Sequence, residues 1–266
     1  IFKKKNISNP SFEVRYIIRE KFGISLEEQV FNENFLLNNK QIIELEKIFE
    51  ERLLGKPIER IFNKIIFRDV ELEINNHIFS PRIDSEVLID ILIKEKIPIK
   101  DVLELGTGSG ALSISLLKYY TSAKCLVTDI NKEAVYIAKK NAILNNTIDR
   151  MQFICCDWLN CFSNLNFDVL ISNPPYIKKE DIKNLDVKVK DYDPYIALNG
   201  GKDGLTAFRI ITDSIKKIGK KNLPVLFEIG FDQAEDIIEI MKENNFKNIK
   251  VFNDYSSTPR CVLGKT

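Results

Sequence analysis

The chain has 266 residues, of which 44% are hydrophobic and 29% charged, and its formal net charge is +1. These values are typical of a globular protein with a substantial core, and the balanced charge does not favour binding to long nucleic acids. No apolar run reaches the ~20 residues that a membrane span needs, and residues 1–5 lead into polar sequence rather than a signal peptide. We therefore expect a cytoplasmic protein without membrane contact.

Residues 1–60 are predicted to form a small bundle of three or four helices. Apolar residues recur at helical spacing over residues 12–18 and again over residues 42–53. Ser25-Leu-Glu-Glu28 has the form of a capping box at the start of another helix. Gly55 follows the last apolar stripe and is typical of a helix end.

Residues 61–80 are predicted to form a β-hairpin that links two domains. The period of the hydrophobic pattern changes here from helical to alternating, most clearly in the run "VELEI" at residues 70–74. The preceding run "KIIF" supplies the other strand of the hairpin.

Residues 81–266 alternate between strand and helix patterns, which indicates an α/β domain with a parallel sheet covered on both faces. The strand candidates are residues 102–105, 125–128, 153–155, 169–172 and 225–229. The helix candidates are residues 85–94, 111–120, 132–145 and 205–218. Residues 246–265 have the pattern of two strands around a turn, and we expect them to add an antiparallel pair at one sheet edge.

The cysteine and histidine content gives no support for a metal site. The five cysteines form no C-x-x-C pair, and we expect them to be reduced core thiols. The only histidine, His77, lies in a polar turn, so a histidine-dependent triad is not expected either.

A glycine-rich loop follows the first strand of the predicted sheet and precedes a helix. It consists of Gly106, Thr107, Gly108, Ser109 and Gly110. Glycines allow a tight turn and a close approach of backbone to ligand, and the helix start offers free N–H groups. The pattern alone does not distinguish a ligand site from a tight strand–helix turn.

Acidic residues at two strand ends make a cofactor site the better interpretation. Glu104 lies just before the glycines and suits a cationic ligand better than a pyrophosphate. Asp129 ends the next strand, where a carboxylate can accept hydrogen bonds from both ribose hydroxyls. A nicotinamide cofactor would use such an acid too, so the pair indicates only a nucleoside-containing cofactor. Asp157 or Trp158, after the third strand, could border an adenine ring, although core packing also explains the tryptophan.

The fourth strand ends in Asn173-Pro174-Pro175-Tyr176. In the usual winding this strand lies beside the first, so we expect Asn173 to face the cofactor. The Asn173 side chain and the Pro174 carbonyl can accept the two hydrogens of a substrate –NH2 group, and the two prolines fix these acceptors. Tyr176 can pack against the planar group that carries the nitrogen. A nitrogen held in this way needs an electrophile beside it, and the sulfonium methyl group of S-adenosylmethionine is one that also suits Glu104 and Asp129.

At these residues the sequence resembles the class I S-adenosylmethionine-dependent methyltransferases, and more specifically the release factor glutamine methyltransferases of the HemK/PrmC family. The motifs at residues 102–112, 128–130, 157–158 and 173–176 are shared with many methyltransferases. The more specific motifs are "YDPYIALNGGKDGL" (192–205), "FEIGFDQ" (227–233) and "RLLGKPIERI" (52–61). The resemblance implies a Rossmann-like, mainly parallel seven-stranded sheet with helices on both faces, and a small N-terminal helical bundle joined to it by a β-hairpin.

The resemblance also implies an activity and its residues. The reaction is N5-methylation of the glutamine in the Gly-Gly-Gln loop of peptide chain release factors, with S-adenosylmethionine as cofactor and S-adenosylhomocysteine as product. Cofactor contacts are expected from the glycine loop, Asp129, Trp158 and Asn173. Asn173, Pro174, Pro175 and Tyr176 are expected to hold the glutamine amide. Residues 1–60 would dock the release factor, residues 81–266 would form the catalytic domain, and we expect a monomer.

Two alternatives stay open. An adenine-N6 methyltransferase acting on DNA or RNA would need the same Asn-Pro-Pro-Tyr geometry around a flipped base, although no basic recognition segment is evident. A binding protein that has lost catalysis is the other. The sequence also departs from the family pattern: residues 81–86 lack a second proline, residues 254–260 lack a glycine, and Asn63 stands where glycine is common.

Overall fold

The computed structural model describes residue 7 and residues 9–31, 36–164 and 166–266. Residues 1–6, 8 and 32–35 of the predicted N-terminal bundle lie outside the described residues. None of the described helices combines the length and the hydropathy that a membrane span requires.

The N-terminal part of the described chain is a small helical bundle. Its helices are α1 (Pro10–Phe22), α2 (Leu26–Phe31), α3 (Asn39–Leu53) and α4 (Ile58–Phe62). Ile17, Leu45 and Ile48 form its buried centre, as their helical spacing predicts. An ion pair between Arg52 and Glu13 also joins α3 to α1, because Nε of Arg52 donates to Oε2 of Glu13 at 2.7 Å.

The hairpin packs against the core of the α/β region. Its strands are β1 (Lys64–Phe67) and β2 (Val70–Glu73), paired antiparallel. Val70 and Leu72 point inward and belong to the same hydrophobic cluster as the first sheet strand, while Glu71 is exposed. Asn63 ends α4 in the left-handed conformation (φ 54°), which explains why glycine also suits this position.

The described residues from 101 onward form a seven-stranded sheet. Its strands are β3 (Asp101–Leu105), β4 (Lys124–Asp129), β5 (Met151–Cys155), β6 (Val169–Ser172), β7 (Pro224–Glu228), β8 (Lys247–Asn253) and β9 (Pro259–Lys265). The spatial order is β5-β4-β3-β6-β7-β9-β8, and only β9 runs antiparallel to its neighbours. The predicted mainly parallel sheet with an antiparallel pair at one edge is therefore confirmed.

Helices cover both faces of the sheet. They are α5 (Val87–Lys94), α6 (Ala111–Tyr119), α7 (Lys132–Leu144), α8 (Val187–Lys190), α9 (Tyr195–Leu198), α10 (Thr206–Ile218) and α11 (Ala234–Glu243). Neighbouring residues of one strand enter different cores: Val102 packs with α5 and α6, whereas Leu103 packs with α10 and α11. The predicted helix at residues 85–94 begins as a 3-10 turn over Ile83–Glu86.

The winding of the sheet changes direction between β3 and β6. β4 follows β3 on one side, whereas β6 pairs with β3 on the other, with Ser172 opposite Leu105. The loops after β3 and β6 therefore diverge at the carboxyl edge and leave a crevice, which is where open α/β sheets bind ligands. The glycine loop and Asn173 lie on its two sides.

Candidate functional site

A cavity of about 560 Å3 opens at the carboxyl edge of β3, β4 and β6. Its walls come from the glycine loop, the end of β4, the Asn-Pro-Pro-Tyr segment, residues 77–85 and residues 194–201. The volume lies within the range of small-molecule sites, roughly 300–1,000 Å3. The sequence-predicted site residues that line it are Glu104, Gly106, Thr107, Gly108, Ser109, Asp129, Asp157, Trp158, Asn173, Pro174, Pro175 and Tyr176.

Four backbone N–H groups of the glycine loop, those of Gly106, Thr107, Gly108 and Gly110, donate to acceptors within the protein. The amides of Gly106 and Thr107 both donate to the carbonyl of Thr128, each at 2.9 Å. The amide of Gly108 donates to Oδ2 of Asp129 at 2.9 Å. A pyrophosphate needs such N–H groups free. The loop therefore favours a nucleoside ligand without phosphate, which the sequence alone did not decide.

Gly110 lies outside the cavity lining, in contrast to its predicted contact with a cofactor. It precedes α6 with φ 82°, and a Cβ at this position would lie 3.0 Å from Cδ1 of Ile114 and 3.3 Å from Cβ of Ala138. The structure thus gives Gly110 a packing role, because it lets α6 and α7 approach each other closely.

Two carboxyl groups lie at the inner wall of the cavity. Glu104 is 1% exposed and accepts hydrogen bonds from the hydroxyls of Thr107 (3.0 Å) and Ser113. Burial raises the pKa of Glu104 to about 7, and these hydrogen bonds oppose the rise. Burial also raises the pKa of Asp129, whose Oδ1 accepts from the amide of Asn131 at 2.9 Å. The pair favours a cationic ligand, which would stabilise both charged forms.

Asp157 and Trp158 lie at the rim of the cavity. Asp157 is exposed, and its Oδ2 accepts from Nδ2 of Asn160 at 3.2 Å. Trp158 is half-buried and packs on the core beneath α10, with φ 46°. A Cβ on Gly106 would lie 3.7 Å from the Trp158 ring, so the loop passes close to the indole.

Asn173 lies across the crevice from the glycine loop. Its Nδ2 donates to the hydroxyl of Ser85 at 3.2 Å. Among the described residues no donor contacts Oδ1 of Asn173, so this oxygen is the acceptor available to a ligand. The hydroxyl of Ser172 donates to the carbonyl of Leu105 at 2.8 Å and holds the two strand ends together.

Tyr176 is fixed at both ends. Its hydroxyl donates to Oε1 of Glu228 at 3.2 Å, and its carbonyl accepts from Nε2 of Gln233 at 2.9 Å. Burial raises the pKa of the Tyr176 phenol, and the nearby Glu228 carboxylate adds to this rise. Gly204 packs directly on the Tyr176 carbonyl, where a side chain would collide. The ring therefore has a fixed orientation at the wall of the cavity.

A buried ion-pair cluster supports the wall formed by residues 194–201. Arg60, in the middle of α4, is 2% exposed and pairs with Asp193. Arg82 pairs with the same carboxylate, and the amide of Ser80 donates to it at 3.2 Å. Arg60 also donates to the carbonyl of Ile78 at 2.9 Å. The cluster thus ties three distant parts of the chain together beside the cavity.

The sequence did not single out Ser85, Glu228 or the Arg60–Asp193 pair. A signal was available for Glu228, because it is an acidic residue at the end of an apolar strand, and Glu104 likewise lies one residue before the end of β3. Ser85 and Asp193 carry no such signal, since their partners are far away in the chain. Among the described residues, no group of three His, Cys, Asp or Glu side chains could hold a metal ion.

Comparison with known proteins defines the class to which this fold and site belong. The sequence profile of the methyltransferase small domain family matches residues 71–189. The ribosomal protein L11 methylase of Lactobacillus delbrueckii subsp. bulgaricus is a fold neighbour with a TM-score of 0.52 and 18% identity, over 71% of this chain and 82% of the neighbour. The catalytic domain of hMettl16, solved with the MAT2A 3'UTR hairpin 6, has a TM-score of 0.57 and 12% identity, over 74% of each chain. The fold is that of the class I methyltransferases.

Relatives in sequence define the family. The release factor glutamine methyltransferase of Agrobacterium fabrum is 33% identical, over 96% of this chain and 90% of the relative. That of Caulobacter vibrioides is 30% identical, over 98% of this chain and 91% of the relative. The chain belongs to the release factor glutamine methyltransferase family. It also matches the bifunctional methyltransferase of Rickettsia felis at 32% identity over 98% of its own length, but spans only about half (55%) of that relative.

Proposed function

We propose that this protein transfers a methyl group from S-adenosylmethionine to the side-chain nitrogen of the glutamine in the Gly-Gly-Gln motif of peptide chain release factors. The observation that carries the proposal is the placement of Asn173 Oδ1 as an available acceptor, opposite the glycine loop in one cavity. Family membership supports the choice of a glutamine amide as the acceptor.

The cofactor side of the cavity consists of Glu104, residues 106–109 and Asp129, and these residues fit S-adenosylmethionine. The loop amides are already bonded, which suits a ligand without phosphate. Each oxygen of Asp129 accepts one backbone hydrogen bond and keeps a lone pair for a ribose hydroxyl. Glu104 places a second carboxyl where a cationic amino acid moiety can lie. When bound, S-adenosylmethionine supplies an electrophilic methyl group on a positively charged sulfur.

The acceptor side consists of Ser85, Asn173, Tyr176 and Glu228. A glutamine carboxamide nitrogen is a poor nucleophile, so its orientation decides the rate. Oδ1 of Asn173 and the carbonyl of Pro174 can each accept one N–H of the substrate, which directs the nitrogen lone pair across the crevice. The Tyr176 ring forms the wall against which the planar amide packs.

Little formal base catalysis is needed from these residues. The amide nitrogen becomes strongly acidic as it acquires the methyl group, so its proton can leave late in the reaction. The same two oxygen acceptors can hold that proton at the nitrogen until it passes to water. Positioning and electrostatic complementarity therefore account for most of the expected rate enhancement.

Mass spectrometry of a release factor after incubation with the protein and S-adenosylmethionine tests this proposal. We expect the Gly-Gly-Gln peptide to gain the mass of one methyl group on its glutamine. A release factor with asparagine at that position is the matched substrate control and should remain unmodified. Methylation of adenine in an oligonucleotide, with an unmodified release factor, would instead support the nucleic-acid alternative.

The N-terminal helices are proposed to dock the release factor. Phe12, Ile43 and Leu54 leave 53–79% of their surfaces exposed on this region and offer apolar contact area. Ile43→Ser should therefore raise the KM for an intact release factor. The same variant should leave the KM for a short Gly-Gly-Gln peptide unchanged, because the peptide reaches only the cavity. An equal effect on both substrates would contradict docking at this surface.

A further inference from the structure

Three asparagines, within α7 and at its two ends, tie this helix to the hairpin and to the loop after it. The Nδ2 atoms of Asn131, Asn141 and Asn145 each donate to a backbone carbonyl. Their acceptors follow in the opposite direction along the chain: the carbonyls of His77 (2.7 Å), Glu73 (2.9 Å) and Glu71 (2.8 Å). Asn131 and His77 both line the cavity, so the first of these hydrogen bonds lies at its wall.

Each polar group of Asn131 has a protein partner. Its Oδ1 accepts from the amide of Glu133 at 3.0 Å and thereby caps α7, and its carbonyl accepts from the amide of Val135 at 3.2 Å. Its own amide donates to Oδ1 of Asp129 at 2.9 Å, on the carboxylate proposed to bind the ribose. Its Nδ2 donates to the carbonyl of His77. Asn131 therefore connects the helix start, this carboxylate and the loop after the hairpin at one point.

The loop after the hairpin forms one side of the cavity, and we call residues 77–81 the loop wall. The residues of the loop wall that line the cavity are His77, Ile78, Phe79 and Pro81. Ile78 is 2% exposed and packs with Ala134 of α7. Apolar packing is non-directional, whereas a hydrogen bond requires alignment of donor and acceptor. The packing of Ile78 therefore holds the loop wall on α7, and the hydrogen bond from Asn131 fixes its orientation beside Asp129.

We propose that Asn131 is a positioning residue for the cofactor: its side-chain amide holds the loop wall, and its backbone amide orients the Asp129 carboxylate. A nucleoside that enters the cavity then meets a polar partner and an apolar wall in a fixed relation, so binding has less order to impose. This inference rests on the proposed function, since it takes S-adenosylmethionine as the ligand. Asn131 acts through Asp129 and the loop wall, because its own polar groups are used within the protein.

Asn131→Ser separates the two tasks of the side chain. Serine caps a helix about as well as asparagine does. Its single hydroxyl is too short to reach the His77 carbonyl while it accepts from the amide of Glu133. We expect the dissociation constant for S-adenosylmethionine, measured by calorimetry, to rise about three- to tenfold, as for the loss of one neutral hydrogen bond. The KM for S-adenosylmethionine should rise by the same factor, with a smaller change in kcat.

Asn145→Ser is the matched control. Asn145 lies at the other end of α7, roughly 20 Å from Asn131 along the helix. Its Nδ2 makes the same kind of hydrogen bond, to the carbonyl of Glu71, and the residue is 8% exposed. This variant should lose stability in urea denaturation but should bind S-adenosylmethionine as the wild type does. A purely structural hydrogen bond at Asn131 would likewise change stability without changing the dissociation constant.

The outcomes separate this inference from the proposed function. Equal dissociation constants for the wild type and Asn131→Ser would overturn the inference and leave the proposed function intact. An equal increase in Asn131→Ser and Asn145→Ser would also overturn it, because the effect would then follow from a general loosening of the hairpin. A selective increase in Asn131→Ser, in a protein that does not methylate release factors, would support the inference and reject the proposed substrate. A wild type that does not bind S-adenosylmethionine would overturn both.

Discussion

The two sides of the cavity are built in different ways. On the cofactor side, hydrogen bonds join residues that are close in the chain. Glu104 and Thr107 are three positions apart, and Asp129 and Gly108 are 21 positions apart. On the acceptor side, Ser85 and Asn173 are 88 positions apart, and Tyr176 and Glu228 are 52 apart. The cofactor side is thus made by one strand–loop–helix unit and its neighbour, whereas the acceptor side exists only when distant segments have come together.

This difference predicts different responses to mutation. A change on the cofactor side should affect mainly ligand affinity, because its contacts lie within one strand–loop–helix unit and its neighbour. A change among the long-range contacts on the acceptor side should affect stability or turnover, because those contacts orient groups from separate elements.

The largest effect is expected where the longest-range contact is broken. Asp193 and Arg60 are 133 positions apart in the chain. Asp193→Ala leaves the Arg60 guanidinium buried without the carboxylate that pairs with it. Removing one partner of a buried ion pair typically destabilises by about 3–5 kcal/mol. Urea denaturation at neutral pH should show a loss of this size in the free energy of unfolding.

Asp203→Ala is the matched control for this change. Asp203 pairs with Arg209 at 2.7 Å, but both side chains are about half exposed, at 45% and 50%. Exposed pairs contribute only about 0–1 kcal/mol. Equal losses in the two variants would remove the distinction between a buried long-range pair and a local surface pair.

Asn173→Ala should give the next largest effect, on turnover rather than on stability. It removes the acceptor Oδ1, and the loss of one preorganised hydrogen-bonding group at a reacting centre costs about 100- to 1,000-fold in kcat. The dissociation constant for S-adenosylmethionine, measured by calorimetry, should stay within about twofold, since Asp129 and Glu104 are intact. Asn253→Ala, on an exposed strand position, is the control. Equal weakening of binding and turnover would contradict the amide-clamp role.

The different construction of the two sides also explains what the sequence could predict. Glu104, the glycine loop and Asp129 follow one another along adjacent strand–helix units, so chain order and strand ends were enough to place them together. Asn173 was placed correctly because the usual winding puts the fourth strand beside the first. Gly110 lies outside the cavity lining, and the spacing of glycines alone cannot separate a ligand contact from close helix packing.

Other features could not be predicted because their cause is tertiary. The Ser85 hydroxyl and the Asp193 carboxylate have partners on other elements, and neither pairing leaves a local pattern. α8 and α9 have four residues each, too few for a helical period to emerge. Cys155 and Cys161 were expected in the core but are exposed. Cys155 is the last residue of β5, an edge strand of the sheet, and Cys161 lies in the loop that follows. The predicted domain boundaries stay predictions.

Asp129→Ala should produce a smaller effect, confined to the cofactor side. Losing a hydrogen bond to a charged group costs about 1.5–3 kcal/mol, so the dissociation constant for S-adenosylmethionine should rise at least about tenfold. Asp149→Ala changes an exposed acid and serves as the control in the same titration. An unchanged titration for Asp129→Ala would remove this residue from the site.

The pH dependence of cofactor binding should follow the ionisation of Asp129. Burial raises the pKa of this carboxyl above its ordinary value. The charged form that accepts the ribose hydroxyls is therefore present at high pH and is lost as the pH falls through the raised pKa. As the pH falls, the affinity of the wild type for S-adenosylmethionine should decrease. The affinity of Asp129→Ala should change less over the same pH range.

Tyr176→Phe should have the smallest effect and resolves how the acceptor side works. It keeps the ring and removes one hydrogen bond to Glu228, worth about 1 kcal/mol, so kcat should fall only about fivefold. Because the Tyr176 hydroxyl lowers the pKa of Glu228, its removal should raise that pKa further. Tyr119→Phe, on an exposed side chain, should leave both quantities unchanged. A loss in Tyr176→Phe as large as in Asn173→Ala would mean that the hydroxyl acts on the substrate itself rather than through Glu228.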